Sequence, residues 1–140
     1  MLYQSEIKIN ELFNSDLPTN TFAERLKKAK AMVGVSQESL AKLTGLSRST
    51  INELEAGHRD NITRETLLKL ISVLDKDIIC DDYLNYLLTQ EDNINNLISL
   101  YGKTELCKLV SVHSSTLERW ANGKYQLPKD KFKIIKEFNI

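Results

Sequence analysis

The sequence predicts an all-helical protein. Only two prolines and five glycines interrupt the 140 residues, and such sparse punctuation favours helices over many short strands. Apolar residues recur at three- and four-residue intervals, which is the spacing of one helix face. Hydrophobic residues make up 41% of the chain and charged residues 27%, a composition typical of a folded domain rather than a disordered segment. The length suits one ordinary domain or two small ones.

The charges are distributed unevenly, although the net charge is zero. Residues 20–77 hold ten bases and eight acids, and residues 93–140 hold eight bases and four acids. Residues 78–92, between these two blocks, hold four acids and no base. Net charge alone does not indicate a nucleic-acid partner, but two basic blocks around an acidic segment predict two domains joined by an acidic connector helix, preceded by an arm at residues 1–19.

The N-terminal arm begins with a short amphipathic pattern. Ile9, Leu12 and Phe13 share one face at helical spacing, and Pro18 follows the end of that pattern. We expect the arm to pack on the first domain or on a partner subunit.

Capping residues divide residues 20–77 into helices. Thr21 and Glu24 form a capping box, and Ser36, Ser47 and Thr63 stand as N-caps of the helices that follow them. Glycines then end three of the helices, because glycine tolerates the left-handed conformation of a helix stop: Gly34, Gly45 and Gly57.

The same spacing predicts which side chains are buried in the first domain. The helix after Ser36 is expected to bury Leu40 and Leu43, and the helix after Ser47 is expected to bury Ile51 and Leu54.

The remaining segments also show a helical pattern. Residues 78–90 predict one helix, and 93–100 predict a further helix that Gly102 ends. Pro128 opens a last helix. The expected buried face of the connector helix is made of Ile79, Tyr83, Tyr86 and Leu87.

An internal repeat relates two stretches that lie 66 residues apart. Residues 36–57 read SQESLAKLTGLSRSTINELEAG, and residues 102–123 read GKTELCKLVSVHSSTLERWANG. The identical pairs occupy apolar and turn positions, which predicts duplication of one supersecondary unit. Two differences stand out: Ser111 replaces the turn Gly45, and Ala121 replaces Glu55. We expect Trp120 to fill the core near Ala121.

Two short helices joined by a tight turn form a helix-turn-helix. In a DNA complex the second helix enters the major groove, and the first helix lies across the backbone with its N-terminus near a phosphate. The polar residues of the second helix in residues 36–57, which include Asn52, are therefore candidates for base contacts. A helix-turn-helix is also a common packing motif without nucleic acid, and the sequence of residues 36–57 favours DNA binding over that alternative.

The pattern S-Q-x-x-L-A-x-x-x-G-L-S-x-x-x-I-x-x-L-E-x-G in residues 36–57 resembles the Cro/lambda-repressor-like (XRE) helix-turn-helix family. The resemblance covers about residues 20–75 and implies a five-helix DNA-binding domain. It implies that Gln37 contacts a phosphate, and that Arg48, Ser49 and Glu53 join Asn52 in facing the bases.

The resemblance also implies an ion pair between Lys30 and Glu55. Ser47 and Arg59 are further candidates for phosphate contacts. The loop His58-Arg59-Asp60-Asn61 is only weakly basic, which predicts a modest affinity for this domain alone.

The second domain resembles the same superfamily less specifically, through T-L-x-R-W-x-x-G-K from Thr116 onward. The resemblance implies base contacts from Ser114, Ser115 and Arg119. Lys103 stands where Gln37 stands in the first repeat. The phosphate-binding candidates of this domain are Lys103, Lys124 and Lys129.

The predicted function is that of a sequence-specific transcriptional regulator, a repressor of phage, plasmid or bacterial type, with double-stranded DNA as its partner. Two DNA-contacting units in one chain would engage successive major grooves, about 34 Å apart. The alternative is an antitoxin-like or interaction protein whose C-terminal half binds a partner or dimerises, and a homodimer stays open.

Other function classes find little support in the sequence. Cys80 and Cys107 lie far apart, without histidines at ligand spacing, so neither a disulfide nor a metal site is expected. There is no catalytic set of residues, and neither a cofactor nor a small-molecule substrate is indicated. The N-terminus has no signal-peptide pattern, and no apolar run is long enough to span a membrane. We therefore expect a cytoplasmic protein that is not an enzyme.

Overall fold

The computed structural model describes residues 14–59 and 61–138, and this part of the chain contains ten helices and no strand. The predicted arm residues Ile9, Leu12 and Phe13, together with Asp60, lie outside the described residues. The chain divides into two compact units, residues 1–81 and 82–140. Across the described ranges, none of the helices combines the length and apolar character that a membrane span requires.

Residues 22–59 and 61–79 of the first unit form five helices, the number that the resemblance implied: α1 (Phe22–Val33), α2 (Gln37–Thr44), α3 (Arg48–Glu55), α4 (Arg64–Ile71) and α5 (Lys76–Ile79). The predicted N-caps of the first four helices are confirmed. Each cap side chain accepts a hydrogen bond from a backbone N–H of the first turn, which satisfies a donor that the helix itself leaves unpaired. These capping side chains are Thr21, Ser36, Ser47 and Thr63.

The core of the first unit agrees with the predicted pattern except at Leu43. Leu40, Ile51 and Leu54 are buried, whereas Leu43 is 50% exposed. Thr44 is buried in its place, and its Oγ1 donates to the carbonyl oxygen of Leu40 at 2.7 Å. The buried stripe of α2 therefore follows the four-residue step rather than the three-residue step, which apolar spacing alone does not distinguish.

Residues 78–92, predicted as one connector helix, belong to three helices in the structure. The break after α5 lies at Cys80, whose backbone is extended (φ −90°, ψ 127°). Arg25 Nε donates to the carbonyl oxygen of Ile79 at 3.0 Å. In a continuous helix that oxygen would accept from the N–H of Tyr83, so the arginine occupies the acceptor that would extend α5.

Residues 82–138, the described part of the second unit, also form five helices: α6 (Asp82–Leu88), α7 (Gln90–Tyr101), α8 (Lys103–Val110), α9 (Ser114–Ala121) and α10 (Lys129–Glu137). Its core contains Leu87, Ile94, Leu106 and Leu117, all of them almost completely buried. Trp120 is 3% exposed, as predicted for the residue that fills this part of the core.

The helix pairs α2–α3 and α8–α9 coincide residue for residue under the 66-residue shift. The turn residue is left-handed in both pairs: Gly45 has φ 78° and Ser111 has φ 56°. The left-handed conformation is unfavourable for a residue with a Cβ. At Ser111, the Lys131 ammonium donates to the carbonyl oxygens of Val110 (3.0 Å) and Ser111 (3.4 Å). Lys131 therefore satisfies carbonyls at the end of α8.

One buried amide fixes the segment that follows α9. Gln90 is fully buried, and its Nε2 donates to the carbonyl oxygens of Trp120 (3.0 Å) and Tyr125 (2.8 Å). Its Oε1 accepts from the N–H of Leu127 at 2.8 Å. Tyr83 OH donates to the carbonyl oxygen of the same leucine at 2.6 Å. Helices α6 and α7 thus hold the path of the chain between α9 and α10.

Candidate nucleic-acid interface

Four of the predicted DNA-contacting residues lie together on the first unit. Gln37, at the start of α2, and Arg48, Ser49 and Asn52, on the first five residues of α3, line one open depression of the surface. Ser47 caps α3 by accepting from the N–H of Thr50 at 3.0 Å. The cap leaves the first turn of α3 exposed, which is the part of a recognition helix that approaches base edges.

Arg48 is the cation of this depression. Its side chain is exposed, and among the described residues it forms no ion pair or hydrogen bond through its guanidinium group. A planar guanidinium in this state offers its donors to an external acceptor such as guanine O6 and N7 or a phosphate.

Behind the depression, Glu55 joins α3 to α1 and α2. Its carboxylate is 7% exposed, and Oε1 lies 2.5 Å from the ammonium nitrogen of Lys30. The ion pair that the resemblance implied is therefore present. Gln37 Nε2 donates to the other oxygen, Oε2. The carboxylate thus fixes the orientation of the Gln37 amide, a contact that the sequence did not indicate.

Glu53 and Arg59 lie beside this surface and contact each other. Arg59 Nε donates to Glu53 Oε2 at 2.7 Å, and both side chains are about half exposed. The sequence predicted that Glu53 contacts a base and that Arg59 contacts a phosphate. In the structure each is the partner of the other, so either DNA contact would require the pair to open or to share its donors.

The corresponding surface of the second unit has a different cap. The N-cap of α9 is His113, whose Nδ1 accepts from the N–H of Ser115 at 3.3 Å. Ser115 Oγ also lies 3.0 Å from the same nitrogen. Ser114 is exposed on the first turn of α9, and Ser115 is half-buried.

Lys103 forms an ion pair across the two helices of this second pair. Its Nζ lies 2.6 Å from Glu118 Oε1, and the hydrogen bond and charge of the lysine lower the pKa of the Glu118 carboxyl. Under the 66-residue shift Glu118 corresponds to Asn52, and Lys103 corresponds to Gln37. The sequence prediction missed Glu118, although the register of the repeat was a signal for it.

The other predicted cations of the second unit lie against aromatic rings or in solvent. The guanidinium carbon of Arg119 is 5.1 Å from the centre of the Tyr125 ring, and Lys129 Nζ is 5.8 Å from that of Tyr83. Both distances are typical of cation–π contacts. Lys124 is exposed in the loop after α9. Two of these three cations therefore contact different aromatic rings, and the third is exposed to solvent.

Comparison with known proteins gives a family match within the first unit. Residues 26–79 match a family model described as helix-turn-helix. A stretch of 44 residues is 43% identical to the HTH-type transcriptional regulator PrtR of Pseudomonas aeruginosa, and it covers 31% of this chain but 17% of that regulator. No solved structure matches the chain significantly. With its five helices, its caps and its Lys30–Glu55 pair, the segment 26–79 is a helix-turn-helix domain of the Cro/lambda-repressor-like (XRE) family.

Proposed function

We propose that the chain is a sequence-specific transcriptional regulator that binds double-stranded DNA, and that it acts as a repressor of phage, plasmid or bacterial type in the cytoplasm. The observation that carries the proposal is the depression lined by Gln37, Arg48, Ser49 and Asn52 on a domain of the XRE family. Regulators of this family act by binding, so we propose no enzyme activity.

In the proposed complex the N-terminus of α3 enters the major groove. Arg48 donates to guanine O6 and N7, and Asn52 makes the paired contact with adenine N6 and N7 that an amide side chain favours. Ser49 accepts or donates beside them. The exposed first turn of α2 approaches a phosphate, because free backbone N–H groups at a helix N-terminus bind anions.

Gln37 strengthens this phosphate contact through its fixed position. Glu55 holds one N–H of the Gln37 amide, so the side chain does not lose its rotamer freedom on binding. Ser47 and Arg59 complete the proposed phosphate contacts. Glu53 contacts a base only if the Arg59 side chain moves away from it toward a DNA phosphate.

We further propose that the second unit contacts DNA through α9. The equal bounds of the two helix pairs support this assignment. Ser114, Ser115 and Arg119 would face the bases, and Lys103, Lys124 and Lys129 would contact phosphates. Because the two helices differ at three of the four aligned positions proposed to face DNA, with Ser49 and Ser115 the identical pair, the operator is expected to contain two unlike half-sites. We propose repression rather than activation because a protein bound at a promoter can block polymerase by occupancy alone, whereas activation requires a further contact with polymerase.

The test is selection of bound sequences from a random duplex pool by the full-length protein at moderate salt. Two unlike half-sites are the expected result. The affinity for the selected duplex should fall steeply as the salt concentration rises, because phosphate contacts release counterions. A folded protein that enriches no sequence would overturn the proposal.

A second candidate is an antitoxin-like or interaction role in which the second unit binds a protein partner or dimerises. It is favoured by Leu100 and Tyr101 at the end of α7, which are 75% and 43% exposed. A palindromic selected site, together with a dimer mass in light scattering, would support this candidate over two half-sites in one chain.

A further inference from the structure

We propose that Glu118 selects a cytosine in the second half-site, and that Lys103 is the positioning residue that makes this contact feasible. The inference rests on the proposed function and deepens it, because it gives the second unit a base preference. It starts from the ion pair between these residues, which joins the first residue of α8 to the fifth residue of α9.

The location of the pair is that of a DNA-contacting surface. In the first unit the residues at the same two positions, Gln37 and Asn52, line the depression described above. The structure therefore brings the same two positions together in both helix pairs. Glu118 and Lys103 are about half exposed, with 57% and 49% of their side chains accessible, so the pair faces outward rather than into the core.

A carboxylate near DNA requires a neighbouring cation. An isolated glutamate on a recognition helix is repelled by the phosphate charges on both sides of the groove. Lys103 reduces this repulsion because its ammonium lies 2.6 Å from Oε1. Within the described residues, the protein gives Oε2 no hydrogen-bond donor, so this oxygen is available to an external donor.

The chemistry of the major groove then favours cytosine. A carboxylate oxygen can only accept, and cytosine N4 is a donor without an adjacent acceptor on its own major-groove edge. Adenine also has a donor at N6, but its N7 is an acceptor that repels the carboxylate. Guanine and thymine present acceptors at their major-groove edges. An acceptor-only side chain therefore favours C over the other three bases.

The same reasoning gives the first unit a different preference at the matching position. Asn52 has both a donor and an acceptor in its side-chain amide, which suits adenine N6 and N7. The repeat thus changes its base preference at one position by replacing an amide pair, Gln37 and Asn52, with an ion pair, Lys103 and Glu118.

The experiment is selection from a random duplex pool with the wild-type full chain and with E118Q, under identical salt. The wild type should enrich cytosine at one position of the second half-site by about tenfold over other bases, an effect within the range of a good base contact. E118Q supplies an amide and should move the preference to adenine there. E105Q is the matched control, because Glu105 is an exposed carboxylate of α8, and it should retain cytosine.

A second variant tests the positioning role of Lys103. In K103Q the carboxylate loses its cation, so affinity for the wild-type site should fall about tenfold and the cytosine preference at that position should be lost with it. A loss of affinity with the cytosine preference intact would assign Lys103 to a phosphate alone and overturn its positioning role. A solely structural role would instead lower the melting temperature of the protein and leave the binding of the selected duplex by the folded protein unchanged.

Two results would overturn the inference. If the first half-site is enriched and no cytosine preference appears in the second, or if E118Q keeps the wild-type preference, Glu118 does not select a base. That result leaves the DNA-binding proposal in place, because the first half-site depends on α3. If no sequence is enriched by the folded wild type, both the inference and the proposed function fail.

Discussion

Lys30 Nζ lies 2.5 Å from Glu55 Oε1, and the ion pair links the first helix of the chain's XRE domain to its recognition helix. Lys30 is 20% exposed and Glu55 is 7% exposed, so solvent screens the pair weakly. The pair therefore differs from the surface ion pairs of the same unit, and substitutions should distinguish them.

We expect Lys30→Met to lower the free energy of unfolding by about 2–4 kcal/mol, because it leaves a buried carboxylate without its cation. Urea denaturation followed by far-UV circular dichroism measures the change. Lys42→Met is the matched control, since the pair of Lys42 with Glu38 is exposed and 3.7 Å long, and it should change the free energy by less than about 1 kcal/mol. If Lys30→Met lowered the free energy of unfolding no more than Lys42→Met does, the buried pair would not stabilise the domain.

Arg48→Ala should relax the base preference at one base pair of the first half-site. The expected cost is about 1–3 kcal/mol on the preferred duplex and much less on duplexes that differ at that position. Fluorescence anisotropy with a panel of single-base substitutions measures this difference. A uniform loss of affinity across the panel would assign Arg48 to a phosphate instead of a base.

The Gln90 amide should contribute strongly to the stability of the second unit. Gln90→Leu removes the side-chain partner of the Tyr125 carbonyl and the Leu127 N–H, and one of the donors to the Trp120 carbonyl, which keeps the backbone N–H of Gly123. We expect a loss of about 2–4 kcal/mol. Trp120 is the sole tryptophan of the chain, so its fluorescence during urea denaturation reports on this unit. Asn96→Leu, at an exposed position of the same helix, should change stability by about 0.5 kcal/mol or less.

Ser111→Gly should stabilise the second unit by about 0.5–1 kcal/mol, because glycine adopts the left-handed turn conformation without strain. The reciprocal change, Gly45→Ser, should destabilise the first unit by a similar amount. A Cβ at Gly45 meets no atom within 4 Å, so its cost would come from the backbone alone. Thermal denaturation of both variants measures the effects, and a destabilised Ser111→Gly would contradict the argument.

The pKa of Asp82 should depend on Lys136, which lies 2.5 Å away. The hydrogen bond and the charge of Lys136 lower this pKa below its ordinary value of 3.8. The pair therefore stabilises the fold above the unfolded pKa, and this stabilisation is lost as pH falls through the folded pKa. Lys136→Met should raise the Asp82 pKa toward 3.8 in an NMR titration of the carboxyl carbon. Lys133→Met, exposed on the same helix, should leave it unchanged.

The sequence was most informative where a local rule decides the structure. Capping side chains and glycines set the bounds of α2 and α3 to within about one residue, because a cap acts within one turn. The break at Cys80 was not predictable, since it depends on Arg25, which is distant in sequence and donates to the Ile79 carbonyl. Long-range contacts of this kind leave no periodic pattern.

In the candidate site, too, local sequence rules predicted some features, and long-range contacts decided the others. The positions of Arg48, Ser49 and Asn52 on one surface follow from helical spacing. The partners of Gln37, Glu53 and Lys103 do not, because each depends on which rotamer meets a charged group on another helix or, for Glu53, on the loop after α3. These pairings decide which donors and acceptors remain for DNA, and they became visible only in three dimensions.

The contacts of Gln90 and Tyr83 have a practical consequence for dissecting the chain. Both residues precede position 93, where the charge pattern suggested that the second domain begins, yet they bind the backbone at Leu127. A fragment that starts at residue 93 would lack the buried side chains that hold this backbone in place. Cloning boundaries for an isolated C-terminal fragment should therefore lie at residue 82 or earlier, and grafting α8 and α9 alone onto another scaffold would transfer the helices without their support.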